Sequence, residues 1–198
     1  MKNVAYKTDY GDLKKPEVIY FNQKPMFETK VLSNFLIKPF FNNLKNIVES
    51  NTIEWFWNSR TLDHIEDDNF MLTHVLYSQQ NERPSRWFSV FEPLLYFLKD
   101  QYDYKKLLKV KMNLYVNRRE QYEHAKHTDM YNQSNKEIPD GLVTSIFNFT
   151  TCDGYTKIGN KKIPSKENEL IMFDGRKEHC GSTPTNTKNR VLININVA

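Results

Sequence analysis

The sequence contains only two cysteines, Cys152 and Cys180, among its 198 residues. Two cysteines are too few for a disulfide framework, and their scarcity favours a reducing compartment. No window of the sequence approaches the roughly 18 to 20 apolar residues that a membrane-spanning helix needs. The opening stretch, MKNVAYKTDYGDLKK, is too polar for a signal peptide. We therefore expect a cytoplasmic protein without a membrane partner.

The sequence also lacks a strong charge of either sign. Its 28 lysines and arginines and 24 aspartates and glutamates leave a formal net charge of +4, which is too small to indicate nucleic-acid binding by itself. It has no internal repeat, low-complexity tract or linker, and its hydrophobic fraction of 39% is typical of a soluble globular protein. We predict a single domain over residues 1–198. The sequence does not predict an oligomeric state.

Helical periodicity occurs in two segments of the first half of the chain. Residues 38–50 place apolar side chains such as Phe40 and Leu44 on one helical face. Residues 85–101 repeat apolar side chains at the same spacing, and we expect Pro93 to bend or restart this helix. Both segments are predicted to be helices that pack on a core.

Strand patterns dominate the second half, where apolar residues alternate with polar ones. The predicted strands are EVIYF (17–21), TIEWFWNSRT (52–61), FMLTHVLYS (70–78), LLKVKMNLYV (107–116), LVTSIFNFT (142–150), GYTKIG (154–159), KKIPS (161–165), ELIMFD (169–174) and RVLININV (190–197). This order predicts an α+β fold, with helical support at about 30–104 packed on one side of an antiparallel sandwich or barrel at about 105–198.

The last predicted strand, RVLININV, has two unlike faces. Alternate residues of a strand share a face, and one set is entirely apolar, which is typical of a face that packs on a core. The other set consists of Arg190, Leu192, Asn194 and Asn196, and three of these four side chains are polar. We infer that this second face contacts something polar.

Two triplets of the sequence can each offer an imidazole and a carboxylate to one metal ion, HTD at His127 and Asp129 and HIE at His64 and Glu66. Two histidines and one carboxylate leave three open positions, which suits a non-haem Fe(II) ion that binds a cosubstrate and oxygen together. The HIE triplet lies in the acidic run LDHIEDDNF, which is typical of a solvated loop. HTD lies between predicted strands, and we therefore favour His127 and Asp129.

His179 and Arg190 are the next candidates for the same site. His179 follows the apolar strand ELIMFD and a turn, where it can supply a third metal ligand. Arg190 stands eleven residues later, and its planar guanidinium can pair with a carboxylate in a buried site. The alternative for Arg190 is a salt bridge at the surface.

HTD, His179, Arg190 and RVLININ, in this order, resemble the 2-oxoglutarate- and Fe(II)-dependent oxygenase superfamily. The chain is most similar to the small prolyl-4-hydroxylase-like branch, which includes members encoded in tailed-phage genomes. The resemblance extends over residues 109–197 and includes DGYTKI and IPSKENELIMFDG. It implies a double-stranded β-helix, or jelly-roll, with N-terminal supporting helices, and the host cytoplasm as its location if the protein is phage-encoded.

Carried over to these positions, the resemblance implies that His127, Asp129 and His179 are the catalytic residues that bind Fe(II). Arg190 would bind the distal carboxylate of 2-oxoglutarate. The implied activity is that of a dioxygenase, which uses 2-oxoglutarate and O2 to hydroxylate a substrate and releases succinate and CO2. For the substrate, a peptidyl proline or another peptide side chain is the first expectation. The alternatives are a nucleobase or modified nucleotide, and a β-barrel binding module without turnover.

The resemblance also suggests further contacts to 2-oxoglutarate. Tyr115 is the expected second donor, with Asn113 on the same strand face. Tyr115 lies twelve residues before His127, a wider spacing than in many members, so Tyr122 is its rival. Asn194 either contacts the cosubstrate or belongs to a buried polar network. The polar segment 130–141 directly after HTD is the candidate for a mobile lid.

Overall fold

The structure is a computed structural model, and it describes residues 27–61, 69–81, 83–129 and 138–198. The strand predicted at 17–21 lies outside these ranges, as do His64 and Glu66. The candidate lid at 130–141 also lies outside them, except for its last four residues.

The described residues form ten strands and two helices, most of them in one antiparallel sheet. In chain order these elements are β1 (Lys30–Ser33), α1 (Lys38–Glu49), β2 (Phe56–Asn58), β3 (Met71–Ser78), α2 (Phe88–Gln101), β4 (Leu107–Val116), β5 (Val143–Asn148), β6 (Cys152–Ile158), β7 (Lys161–Ser165), β8 (Glu169–Asp174), β9 (His179–Gly181) and β10 (Asn189–Val197). Seven strands form the main sheet, in the order β1-β8-β5-β10-β4-β3-β2, and three form a small sheet, in the order β7-β6-β9.

Both helices pack against one face of the main sheet. Pro39 stands in the first turn of α1, where a missing backbone N–H does no harm, and the buried face of α1 includes Phe41 and Leu44. α2 continues through Pro93 as one helix, so the predicted restart is excluded. Its buried apolar side chains, including Phe91 and Leu98, compensate for the lost hydrogen bond. Neither helix of the described ranges is long and apolar enough to cross a membrane.

The closing strand β10 separates two hydrophobic clusters, as its alternation predicted. The apolar set of β10, including Ile193 and Ile195, lies in the cluster that contains the helices. Leu192 lies in a second cluster, between the two sheets, whose members are Met71, Tyr115, Ile146, Ile158, Ile163, Ile171, Phe173 and Leu192. The polar face of β10 therefore points into the space between the main sheet and the small sheet.

Most predicted strands are confirmed, and two short ones were missed. β3, β4 and β10 lie within a residue of their predicted bounds, whereas the strand predicted at 52–61 is reduced to β2. β1 and β9 were not predicted, because strands of four and three residues have no measurable periodicity. The segment 30–104, expected as N-terminal helical support, contains both helices but also contributes β1, β2 and β3 to the main sheet. The prediction of N-terminal supporting helices outside the β-core is therefore not supported, because three of the five elements of this segment are strands of the main sheet.

Candidate metal centre

Backbone pairing holds His127 and His179 side by side. His127 N–H donates to the His179 carbonyl at 3.0 Å, and the reverse hydrogen bond measures 2.8 Å. Residues paired in this way project their side chains to the same face, and the two ring centroids lie 4.5 Å apart. Asp129 follows two residues after His127, and the ligand atoms of the three lie within 4.8 Å of one another. No other such cluster of His, Cys, Asp or Glu occurs in the described ranges.

Both imidazoles are oriented by a backbone carbonyl. Nδ1 of His179 lies 3.1 Å from the Lys177 oxygen, and Nδ1 of His127 lies 3.4 Å from the Ala125 oxygen. A protonated Nδ1 that donates to these carbonyls leaves each Nε2 with a free lone pair, which is the form that binds a metal ion. Nε2 of His179 is buried and has no hydrogen-bond partner. The donor set therefore fits a divalent transition metal.

Charge and burial set the protonation states of the three residues. Burial, and then the neighbouring His179, lower the pKa of His127 to about 4. Burial acts to raise the pKa of Asp129, but His179 and His127 beside it hold that pKa well below its usual range. Burial acts to lower the pKa of His179, but the Asp129 carboxylate outweighs burial and raises it. An ionised Asp129 and a neutral His127 are ready for metal binding, which displaces any proton on His179.

Arg190 is completely buried, at 0% exposure. Its Nη1 donates to the carbonyl oxygens of Tyr155 and Ser182 at 2.6 and 3.3 Å, and its Nη2 donates to Thr156 Oγ1 and Asn148 Oδ1 at 2.8 and 3.5 Å. All four acceptors are neutral, and Nε has no partner. Among the described residues no carboxylate pairs with this guanidinium. Because a buried cation without an anion is unfavourable, the surface salt bridge is excluded and the site suits an anionic ligand.

The two rival tyrosines lie in different environments. Tyr115 is 7% exposed and is paired with Arg190 across β4 and β10. Burial raises the pKa of Tyr115, so its hydroxyl remains a proton donor. Tyr122 is half-buried, its hydroxyl donates to Glu120 at 3.2 Å, and the guanidinium of Arg118 lies 4.4 Å from its ring centroid. The structure thus brings Tyr115, and not Tyr122, next to Arg190.

Asn113 and Asn194, the two asparagines predicted from the sequence, lie on the face of the main sheet that points towards the small sheet. Asn113 is two residues before Tyr115 on β4, and its Oδ1 is buried without a partner. Asn194 donates from Nδ2 to Asp129 Oδ2 at 3.2 Å, while its own Oδ1 has no partner. Asn194 therefore contacts a candidate metal ligand, as the network alternative predicted, and it retains a free acceptor towards the space between the sheets.

Two further residues at the site were missed. Thr144 Oγ1 donates to Asp129 Oδ2 at 2.9 Å, and Asn196 Nδ2 donates to the same oxygen at 2.8 Å. Alternation along the strands could have indicated both residues. Thr144 shares a face of β5 with the buried Ile146, and Asn196 lies on the polar face of β10. The sequence does not reveal that this face ends at Asp129, since Asp129 belongs to none of the strands.

Lysines line the candidate metal centre. Lys109 and Lys111 are paired with Asn196 and Asn194, so they lie on the face that contacts Asp129. After burial and the neighbouring ligands, the charge of Lys111 also acts to lower the pKa of both candidate histidine ligands. Lys126 directly precedes His127 and is exposed. The surroundings of the metal site are therefore basic, although the whole chain is only weakly so.

No protein-family model and no curated protein matches the chain, but solved structures share its fold. A 2OG-Fe(II) oxygenase family oxidoreductase from Burkholderia pseudomallei has a TM-score of 0.60 at 9% identity, covering 85% of each chain. A Trichoplax adhaerens prolyl hydroxylase, solved with a hypoxia inducible factor peptide fragment, has a TM-score of 0.57 at 13% identity, covering 85% of this chain and 83% of that one.

A viral collagen prolyl hydroxylase from Paramecium Bursaria Chlorella virus-1, in complex with 2OG, is a further structural neighbour. It has a TM-score of 0.53 at 12% identity, and the match covers 85% of this chain and 94% of that one. At such low identities, these similarities show a common fold.

Proposed function

We propose that the protein is an Fe(II)- and 2-oxoglutarate-dependent dioxygenase, a single domain over residues 1–198 whose two sheets form a double-stranded β-helix. One observation carries the proposal: a His-Asp-His cluster shares the space between two sheets with a buried arginine that pairs with no carboxylate of the described residues. A metal site alone fits many functions. A metal site together with an unmatched buried cation fits a metal-chelating anion as cosubstrate.

His127, Asp129 and His179 would hold the iron. When bound, Fe(II) would supply the activation of O2, which is the four-electron oxidant: two electrons come from 2-oxoglutarate, released as succinate and CO2, and two from the hydroxylated substrate. The chain's own contribution is to hold the three donors on one side of the ion. The backbone bridge between the histidines and the carbonyls at their Nδ1 atoms perform this task.

Arg190 would bind the distal carboxylate of 2-oxoglutarate. Its Nε is unpartnered, and its remaining donors already have neutral acceptors at fixed positions, so the guanidinium is oriented before the ligand arrives. Tyr115 would add a hydroxyl donor to the same carboxylate, with Asn113 beside it. Burying this charge pair between the sheets makes the pairing specific for a ligand of the right length.

Apolar side chains would keep bulk water away from the reacting atoms. Phe173 packs edge-on against the His179 ring with centroids 4.8 Å apart. Ile158 and Leu192 belong to the same cluster between the sheets. A dry pocket strengthens the electrostatic contacts within it and limits side reactions of the oxidant.

For the substrate, we propose a peptide, with a peptidyl proline or another side chain as the site of hydroxylation. The fold shared with prolyl hydroxylases supports this choice, and the sequence resemblance alone supports the phage-like branch. A nucleobase or modified nucleotide is the second candidate, because Lys109 and Lys111 would favour a phosphate-bearing substrate. The two cysteines of the chain are free and buried, which supports a cytoplasmic location.

An anaerobic titration with Fe(II) and then 2-oxoglutarate tests the proposal. We expect a weak visible charge-transfer band from the chelated metal, and its loss with succinate formation when oxygen is admitted. Folded protein that gives neither the band nor succinate contradicts the enzyme function and leaves the binding-module alternative. Matched proline peptides and oligonucleotides, compared for stimulation of succinate release, then separate the two substrate classes.

A further inference from the structure

The Asp129 carboxylate is fastened to the main sheet through one of its two oxygens. Oδ2 accepts hydrogen bonds from Asn196 Nδ2 at 2.8 Å, from Thr144 Oγ1 at 2.9 Å and from Asn194 Nδ2 at 3.2 Å. Asn196 Nδ2 also donates to Thr144 Oγ1 at 3.1 Å. These four bonds form a connected network around a single carboxylate oxygen.

The three donors are rigidly placed. Thr144, Asn194 and Asn196 are exposed by only 0%, 7% and 2%, and Thr144 and Asn196 are directly paired across β5 and β10. Asp129 itself lies outside the strands. The network thus ties a loop residue to two neighbouring strands of the sheet, and it fixes the rotation of the carboxylate about its side chain.

We propose that Thr144, Asn194 and Asn196 are positioning residues that occupy Oδ2 of Asp129 and so leave Oδ1 as its single metal-binding oxygen. The inference rests on the proposed function, because it takes Asp129 as a metal ligand. A carboxylate oxygen that already accepts three hydrogen bonds has no lone pair directed towards a cation. Oδ1 lies 3.8 Å from His127 Nε2 and Oδ2 lies 3.5 Å from His179 Nε2, so both oxygens face the ligand nitrogens, and the three hydrogen bonds on Oδ2 distinguish them.

Single-oxygen binding matters because of the number of open positions. Two histidines and one carboxylate oxygen fill three of the six positions of an octahedral ion, and the other three remain for a chelating cosubstrate and oxygen. A carboxylate that bound through both oxygens would take a fourth position. The network would therefore keep all three remaining positions open, two for the chelating cosubstrate and one for oxygen.

All three donors are also neutral, which distinguishes them from a charged partner. A lysine or arginine at Oδ2 would compete with the metal ion for the negative charge of the carboxylate. Hydroxyl and amide donors orient the carboxylate and leave its charge available to the metal. We therefore expect that loss of these donors weakens metal binding by about tenfold to a hundredfold, the usual range for residues that orient a ligand.

The first test compares Thr144→Val with Thr144→Ser, which differ in the hydroxyl at the same buried position. We expect Thr144→Ser to bind Mn(II) like the wild type and Thr144→Val to bind it at least tenfold more weakly. Ser145→Ala is the matched control, because Ser145 is the next residue of β5, is completely buried, and has a hydroxyl without a partner. Equal Mn(II) affinity in Thr144→Val and the wild type would overturn the proposal.

The second test needs no variant, and it applies even if Thr144→Val fails to fold. Infrared difference spectra of the wild type with and without Mn(II) report whether a carboxylate binds through one oxygen or two, from the separation of its two stretching bands. We expect the wide separation of single-oxygen binding, and a narrow separation contradicts the proposal. If the wild type binds no Mn(II) at all, the proposed function itself fails, so the two failures are distinguishable.

Discussion

Arg190 on β10 lies directly opposite Tyr115 on β4, and its guanidinium carbon is 5.8 Å from the centre of the tyrosine ring. Both side chains are buried, and they are the cation and the hydroxyl donor proposed to bind the distal carboxylate of 2-oxoglutarate. Their placement separates the two halves of the proposed cosubstrate site: the carboxylate end at Arg190 and the metal end at His127 and His179.

Replacement of Arg190 by alanine should weaken 2-oxoglutarate binding and spare the metal. Hydrogen bonds to a charged group contribute about 1.5 to 3 kcal/mol, which corresponds to a rise of roughly tenfold to a hundredfold in the half-saturating 2-oxoglutarate concentration. The anaerobic charge-transfer band, titrated with 2-oxoglutarate, measures this concentration. Arg190→Lys keeps the positive charge but loses the planar guanidinium. Its half-saturating 2-oxoglutarate concentration should lie between those of the wild type and Arg190→Ala. An unchanged half-saturation in Arg190→Ala would show that the carboxylate binds elsewhere.

Tyr115→Phe should weaken 2-oxoglutarate binding, while Tyr122→Phe should leave it unchanged. Loss of one neutral hydroxyl donor costs about 0.5 to 1.5 kcal/mol, so a twofold to about tenfold effect is expected for Tyr115→Phe. Tyr122 is a matched control, since its hydroxyl bonds to Glu120 at the surface. The same band titration measures both variants. The reverse ranking would restore Tyr122 as the cosubstrate donor.

His127→Ala and Asp129→Ala should each abolish Fe(II) binding and turnover. Removal of one of three ligands leaves too few ligand atoms for the metal. Asp129→Ala also leaves the three hydrogen-bond donors to its Oδ2 without their acceptor. Mn(II) binding followed by electron paramagnetic resonance measures the loss without requiring turnover. His64→Ala is the control from the rival triplet and should bind Mn(II) normally. If His64→Ala lost the metal and His127→Ala kept it, the metal site would be at the HIE triplet and not at HTD.

Sequence periodicity predicts the long strands of the site, β4 and β10, better than the short strand β9. β4 and β10 are long enough for alternation to separate their faces, so the row from Arg190 to Asn196 is predicted correctly as the face opposite the one that packs on the helices. The placement of His179 on a strand was not predicted, because β9 has only three residues and exists through its pairing with β6 and with His127.

The contacts to Asp129 were equally hidden from the sequence. Thr144 stands in LVTSIFNFT, where it looks like an ordinary strand threonine, and only the pairing of β5 with β10 brings it to Asn196. Such non-local contacts depend on strand order in the sheet, which a single sequence does not specify. The acceptors of Arg190 were hidden for the same reason, since two of the four are backbone carbonyls on other segments.

Gly154→Ala should disturb the cosubstrate end of the site and leave the metal end intact. A Cβ atom at Gly154 would lie 2.9 Å from Arg190 Cδ, closer than real Cβ contacts allow, and 3.2 Å from the Ser182 carbonyl oxygen, which is tighter than most such contacts. Arg190 cannot yield freely, because its guanidinium is held by buried acceptors. We expect a lower melting temperature and weaker 2-oxoglutarate binding, with unchanged Mn(II) affinity.

Gly181→Ala is the comparison for this prediction. Its Cβ would meet the Tyr115 hydroxyl at 3.2 Å and Arg190 Nη1 at 3.5 Å, which are milder contacts with the ends of side chains. The loss of 2-oxoglutarate affinity should therefore be smaller than in Gly154→Ala, because the Tyr115 ring needs to move by only a few tenths of an ångström and Arg190 stays at an ordinary contact distance. If Gly154→Ala kept full 2-oxoglutarate affinity and stability, the aliphatic part of the Arg190 side chain would be free to shift, and its guanidinium would not be oriented before the ligand binds.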